Sequence, residues 1–356
     1  MPKTSGTNRS RLIKVFVILL GLFIVGLFIR TDYILVQPGA AQDLREMVTV
    51  EGADQSDQGK FYLVTVAQKQ AHLWSLVYGY LHPHIEVQSL SSVIPPDLEE
   101  QEYRELLEQW MRESKNTAQV IALRRAGYDV EIISEGVAVA EFLDDSPSKG
   151  ILEKGDVITA IDGHKTQLAG EVVSAVQQRR VGAPVELTVR RNSEEMYLTV
   201  ITAPHTDDPK LAALGVYIST LDWEPVLPIE IKMETGEIAG PSAGLMFVLE
   251  ILNQLEPGDL SGGQLIAGTG TIDVGENIGP IGGVYQKVIA AERAGAAYFF
   301  VPEENYEEAR SAVQQIKLVP LKTLQEALDF LDSLAAGEES SLRLDHDRER
   351  CLLPAA

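Results

Sequence analysis

The chain has 356 residues, 45% of them hydrophobic, which is enough for two or three compact domains with cores of their own. Residues 1–30 carry five basic side chains (Lys3, Arg9, Arg11, Lys14, Arg30) and no acid, leaving 25 basic against 52 acidic residues, a net charge of −27, over 31–356. A body that acidic repels phosphate backbones and argues against a nucleic-acid partner. The single cysteine, Cys351, rules out an internal disulfide.

Residues 15–29, VFVILLGLFIVGLFI, are uncharged and apolar; Leu12, Ile13 and a snorkelling Lys14 bring the run to 18 positions. At 1.5 Å per residue that is roughly 27 Å of helix, just enough to cross a bilayer. The small-residue stretch Gly39-Ala40-Ala41 lies too far beyond the run to act as a good signal-cleavage site, so the segment reads as an uncleaved anchor. Its basic leading flank keeps residues 1–35 as a cytoplasmic tip and transmembrane anchor and exports the rest across one crossing.

Residues 36–127 read as a small α/β region. GKFYLVTVAQ (59–68) has the β-branched and aromatic content of a strand, and Pro95-Pro96 breaks the chain after it. From Asp97 to Arg125, Tyr103, Leu106, Leu107, Trp110 and Met111 recur at helical spacing, with Gly127 placed as a C-terminal cap. Nothing in this region offers chemistry of its own. His82 and His84, the only histidines close in sequence, read as a solvated loop, and no spacing of Cys or His suggests a metal.

Residues 128–204 resemble a PDZ domain. EGVAVAEFLDDSPSKGILEKGDVITAIDG (135–163) alternates β-branched residues with turns and ends in a GD-x-I-x-x-I-D-G element. The resemblance implies an open-edged strand that accepts an extended peptide, with Gly136, Val137, Ala138 and Val139 lining the loop that holds the peptide's terminal carboxylate.

From residue 205 to 335 regular α/β alternation follows: strands in LGVYIST and VLPIEIKME, a helix over 241–255, strand LIAGTGTI, helix YQKVIAAERAGA, strand YFFVP and two more helices. In Gly240-Pro241-Ser242-Ala243-Gly244, glycine can take the cap and proline the first helical position. Ser242 would then lie in the first turn, where backbone N–H groups and the positive helix end could stabilise an oxyanion. A serine hydroxyl needs a base, and these motifs contain no histidine. They do contain Lys287, among Val284, Val288, Ile289, Ala290 and Ala291, where desolvation could free the neutral amine as a proton acceptor. Taken singly, each motif also fits an ordinary helix start or a surface lysine.

GPSAGLMF, GDLSGG, IAGTGTID, GPIGGVYQK and AGAAYFFVPEEN, in that order, resemble the Lon-type serine peptidase domain. Anchor, α/β region, PDZ domain and Lon-type domain together, over residues 12–335, resemble the YlbL/SepM-type membrane peptidases of Gram-positive bacteria; the charged 336–356 tail lies outside. The fold class expected is therefore α/β (α+β), with a β-rich PDZ domain and a C-terminal proteolytic domain. The resemblance implies Ser242 as nucleophile and Lys287 as general base, acting on exported proteins or peptides without metal or cofactor. Ala243, Thr269 and Thr271 are candidates for lining the oxyanion site or orienting the lysine. Lon-type relatives often carry an acid three residues before the serine, where this chain has Ala239. No G-x-x-x-x-G-K-[ST] loop occurs, and Phe61 follows Gly59-Lys60 where a hydroxyl is required, so no nucleotide partner is expected. An inactive membrane PDZ scaffold and a peptide-holding chaperone remain the alternatives.

Overall fold

The computed structural model describes residues 6–53, 58–94, 98–206 and 208–336. The Pro95-Pro96 break, Cys351 and the tail from 337 on lie outside the described residues, as do the side chains of 6–13, Val15, Leu19 and Leu22. In chain order, helix α1 (Gly6–Phe28) leads into strand β1 (Arg30–Asp43), β2 (Lys60–His72), helix α2 (Leu73–Leu81), β3 (Glu86–Ser89) and the long helix α3 (Glu100–Arg125). Strands β4 (Gly136–Phe142) and β5 (Val157–Ile161), helix α4 (Ala169–Gln177), and strands β6 (Pro184–Arg191), β7 (Glu194–Ile201) and β8 (Val216–Leu221) follow. The chain closes with α5 (Gly244–Leu255), β9 (Leu265–Gly268), β10 (Thr271–Ile272), α6 (Val284–Arg293), β11 (Tyr298–Pro302), α7 (Tyr306–Ala312), β12 (Lys317–Leu321) and α8 (Leu324–Ala335). Among the described residues no helix is long and apolar enough to cross a membrane, so the expected transmembrane helix finds no support there.

Residues 36–127 do not form a sheet of their own. A single six-stranded sheet runs β12-β11-β9-β2-β1-β3, joining strands from both ends of the chain. β9 lies parallel to β2, with Ile266 opposite Phe61 and Ala267 opposite Tyr62, and β1 is antiparallel to β2. The period-2 alternation of strand side chains then builds two cores. Phe61, Leu63, Ile266 and Phe300 face α5 and α8, while Val64, Ala267, Phe299 and Val301 face α6. α3 packs along α5 and ends at Gly127 (φ +87°), where Tyr128 N–H donates to the Leu123 carbonyl in a left-handed cap.

Between α3 and α5 the chain leaves this body and returns. Glu131–Ile133 pairs antiparallel with Glu224–Val226, clasping the base of an inserted domain whose sheet runs β7-β6-β5-β4-β8. Its core combines Val137, Val139, Ile158 and Leu187 with Val172 and Val176 of α4. Asp162-Gly163 turns the chain after β5, and Asn192-Ser193 joins β6 to β7; both pairs have positive φ, as tight hairpins of matching twist require. Asp156, from the GD element, is 2% exposed and takes 2.7 Å hydrogen bonds on both oxygens from Arg191 Nε and Nη2. Burial alone would raise its pKa, but the Arg191 bonds hold it below the ordinary value.

Two sequence expectations change here. LGVYIST, expected in the C-terminal domain, supplies β8 at the edge of the inserted sheet. Gly136–Val139 is not an open loop. It lies in β4, an inner strand paired with β5 on one side and β8 on the other, so its backbone groups are already engaged and Val137 and Val139 are buried. The outer strands of this sheet are β7 and β8, each paired on one side among the described strands.

Candidate active site

Ser242 lies in the turn before α5, two residues ahead of its first helical residue and not in its first turn; Ala243 occupies the cap position and is 5% exposed. Several elements fix this turn. Gly240 N–H donates to the Leu107 carbonyl at 3.0 Å, and Ser114 Oγ donates to the Pro241 carbonyl at 3.1 Å, both from α3. The Ser242 carbonyl accepts from Gly270 N–H at 2.9 Å and from Thr269 Oγ1 at 3.0 Å. Ser242 as a whole is half-buried.

Lys287 approaches from the opposite face of the sheet. α6 starts at Gly283, whose φ of +69° a side chain would strain and whose added Cβ would stand 2.9 Å from Val66. One turn on, Lys287 is 3% exposed, and its Nζ lies 2.8 Å from Ser242 Oγ and 2.9 Å from Thr269 Oγ1. Burial of the amine lowers its pKa to about 7. The three side chains meet just past the C-terminal end of β9. Gly268 there is hemmed in by Met246 and Phe300, whose atoms would stand 2.5 and 2.8 Å from an added Cβ.

Of the three residues named around the dyad, Ala243, Thr269 and Thr271, the structure brings Thr269 into contact with both members. Thr271 lies on β10, paired with Gly279, with no hydrogen bond to either among those described. The Ser114 and Leu107 supports went unread in the sequence, because a polar residue and a backbone carbonyl on an amphipathic helix carry no local signal. His82 and His84 lie in the loop between α2 and β3, as expected, but are half-buried: His82 Nδ1 accepts from His84 N–H, their rings meet edge to face, and His84 lies against Tyr285 of α6.

Ser242 Oγ, the buried Lys287 amine and the Thr269 hydroxyl thus form one hydrogen-bonded cluster beside the amino end of α5, on an α/β body. Residues 113–202 match the PDZ domain family, and residues 227–331 match the Lon protease (S16) C-terminal proteolytic domain. The chain thus joins a PDZ domain to a Lon-type proteolytic domain, the pairing that the YlbL/SepM-type resemblance implies. It is 26% identical over 315 residues to the Lon protease of Trichlorobacter lovleyi, covering 82% of this chain and 35% of that one. It is 35% identical over 123 residues to the Lon protease of Koribacter versatilis, covering 32% of this chain and 15% of that one. The chain therefore spans about a third or less of the length of these curated relatives. The PDZ domain of an SdrC-like protein from Listeria monocytogenes is also similar, at 22% identity and a TM-score of 0.23, covering 25% of this chain and 92% of that one.

Proposed function

We propose that the chain is an ATP-independent serine endopeptidase in which Ser242 is the nucleophile and Lys287 the general base. The observation that carries this reading is the 2.8 Å contact between Ser242 Oγ and the Nζ of a buried lysine whose pKa falls to about 7. Ser242 Oγ attacks the substrate carbonyl carbon as its proton passes to neutral Lys287. The oxyanion forms beside the amino end of α5, whose positive dipole end supports the charge. Collapse breaks the C–N bond, Lys287 returns the proton to the leaving amine, and water, deprotonated by the same amine, releases the acyl group. With no phosphate-binding loop in these 356 residues, the substrates that fit are unfolded, flexible or short. The PDZ domain would select them by adding an extended segment to the outer edge of β8 rather than at Gly136–Val139. A fluorophosphonate probe tests the dyad. Labelling at Ser242, together with hydrolysis of an unfolded protein that Ser242→Ala abolishes, is the expected result. Absence of both would favour the inactive scaffold or holding chaperone.

Membrane anchoring and export belong to the same proposal and rest on the sequence of 15–29 and its basic leading flank. Support comes from exposed apolar surface that continues from α1 to α2: Phe16, Ile18 and Phe28 on one, Tyr78, Tyr80 and Leu81 on the other. Trp74 joins them, stacking on Phe23 and donating its indole N–H to the Phe23 carbonyl at 2.8 Å. Aromatic side chains of this kind concentrate where a bilayer meets water. Protease added to wall-stripped cells should remove everything beyond about residue 40. A body that resists until the membrane is broken contradicts export.

A further inference from the structure

A cavity of about 380 Å³ lies beside the turn that carries Ser242. Three parts of the molecule wall it. α3 supplies Trp110 and Thr117, the proteolytic domain supplies Pro241 and Ile272, and the PDZ domain supplies Leu168 and Thr220. The PDZ wall is fixed in place. Ala169 N–H donates to Thr220 Oγ1 at 2.9 Å, and Gly170 abuts Val274 so closely that an added Cβ would stand 2.7 Å from its methyl. Trp110 is 37% exposed at the rim, and Trp223 is buried at 9%.

We infer that this cavity is a subsite for a large apolar side chain of the substrate within a residue or two of the cleaved bond, and that the PDZ domain completes it. The inference rests on the peptidase reading above. Pro241 immediately precedes Ser242, and Thr271 lies two residues past Thr269. An extended chain advances about 3.3 Å per residue, so a carbonyl held at Ser242 Oγ brings a neighbouring side chain to the cavity mouth. The lining is mainly apolar, through Trp110, Leu168, Trp223 and Ile272, with Glu113 and Asp273 beside them, and its volume in the range of ligand pockets suits Phe, Leu or Met. On this account the PDZ domain shares in choosing the bond that is cut, in addition to capturing substrate.

The test is mass-spectrometric mapping of cleavage sites in an unfolded protein and a peptide library, using the full chain and three variants. Thr117→Phe fills the cavity from α3 and Leu168→Phe from the PDZ side, and each should shift preference at one subsite from large apolar residues to Ala or Gly by about tenfold or more in relative kcat/KM. Trp110→Ala, at an exposed position, opens the rim and should broaden that same preference. Active Thr117→Phe and Trp110→Ala enzymes with the wild-type preference would overturn the inference while leaving the peptidase reading intact. A shift with Thr117→Phe but none with a folded, active Leu168→Phe would overturn the PDZ domain's part in it. A wild-type chain with neither fluorophosphonate labelling nor cleavage would defeat the peptidase reading, and the subsite with it.

Discussion

Thr269 has one hydroxyl proton and gives it to the Ser242 carbonyl, so what it offers Lys287 is a lone pair. A neutral lysine that donates one N–H to Thr269 can turn its own lone pair toward Ser242 Oγ, the orientation a general base needs. The lysine is neutral at moderate pH because burial drops its pKa from 10.5 to about 7. Activity should therefore rise with pH through a midpoint near 7 and level off above it, as initial rates across a buffer series would show. The linkage to stability has the same sign. Between pH 7 and 10.5 the unfolded chain binds the extra proton, so this group's penalty is fully present below 7 and fades as pH rises toward 10.5. Lys287→Arg retains a permanent charge and should be as inactive as Lys287→Ala, a loss of about 10²–10⁴ in rate. Thr269→Val removes the bond that aims the amine and should lower kcat roughly 10–100-fold, with Thr269→Ser restoring it; a Thr269→Val enzyme at wild-type kcat would contradict the positioning role. Ser242 and Lys287 were legible because each stands in a glycine-marked motif. Thr269 was legible only as one of two glycine-flanked threonines, since choosing between it and Thr271 depends on where β9 ends.

Helix α5 delivers the serine turn and also carries Glu250, which is fully buried. Gln254 Nε2 donates to its Oε1 at 2.7 Å, while Oε2 is buried without a partner among the described residues. Burial raises the carboxyl to a pKa of about 7 against the pull of the Gln254 bond, and the negative charge of Asp43 adds to the rise. For an acid with a raised folded pKa, the folded state binds the extra proton between pH 4.5 and 7, so stability falls as pH rises through that window. Glu250→Gln has nothing to ionise and should flatten the fall between pH 4.5 and 8 by about 3 kcal/mol, measured by denaturant melts at several pH values. Unchanged pH dependence would mean that solvent or a rotamer change satisfies the carboxylate. The elements themselves were unevenly legible. α3, β2, α5 and α6 showed their periods clearly. β1 did not, because Pro38 and Gly39 sit inside its 14 residues and the register shifts between Pro38 and Ala41. β12 hid behind Pro320, tolerable there because the strand lies at the sheet edge.

Domain limits drawn along a sequence assume that neighbours in sequence fold together, and this chain departs from that. Chemistry-bearing motifs cluster after residue 240, so the sequence suggests a self-contained C-terminal proteolytic unit over 205–335. The sheet that holds Thr269 and backs Lys287 is half built from β1, β2 and β3, which lie before residue 90. α3, from the same early region, fastens the Ser242 turn through Leu107 and Ser114. A fragment 205–335 would leave β9 without β2 and bare Ile266 and Ala267 on an exposed strand edge, a surface that aggregates rather than folds. It would also contain β8 without its partner β4. Starting at residue 36 cuts β1 near its middle, whereas starting at Arg30 keeps the strand whole. We therefore expect residues 30–336 to melt cooperatively and to react with a fluorophosphonate at Ser242. Residues 205–335 should show neither, and residues 36–336 should melt at a lower temperature than 30–336 because the three β1–β2 pairings of Arg30, Ile34 and Leu35 are lost. Circular dichroism melts and probe labelling of the three fragments decide this. A folded, probe-reactive 205–335 would show that the N-terminal strands only decorate a proteolytic domain that is complete without them.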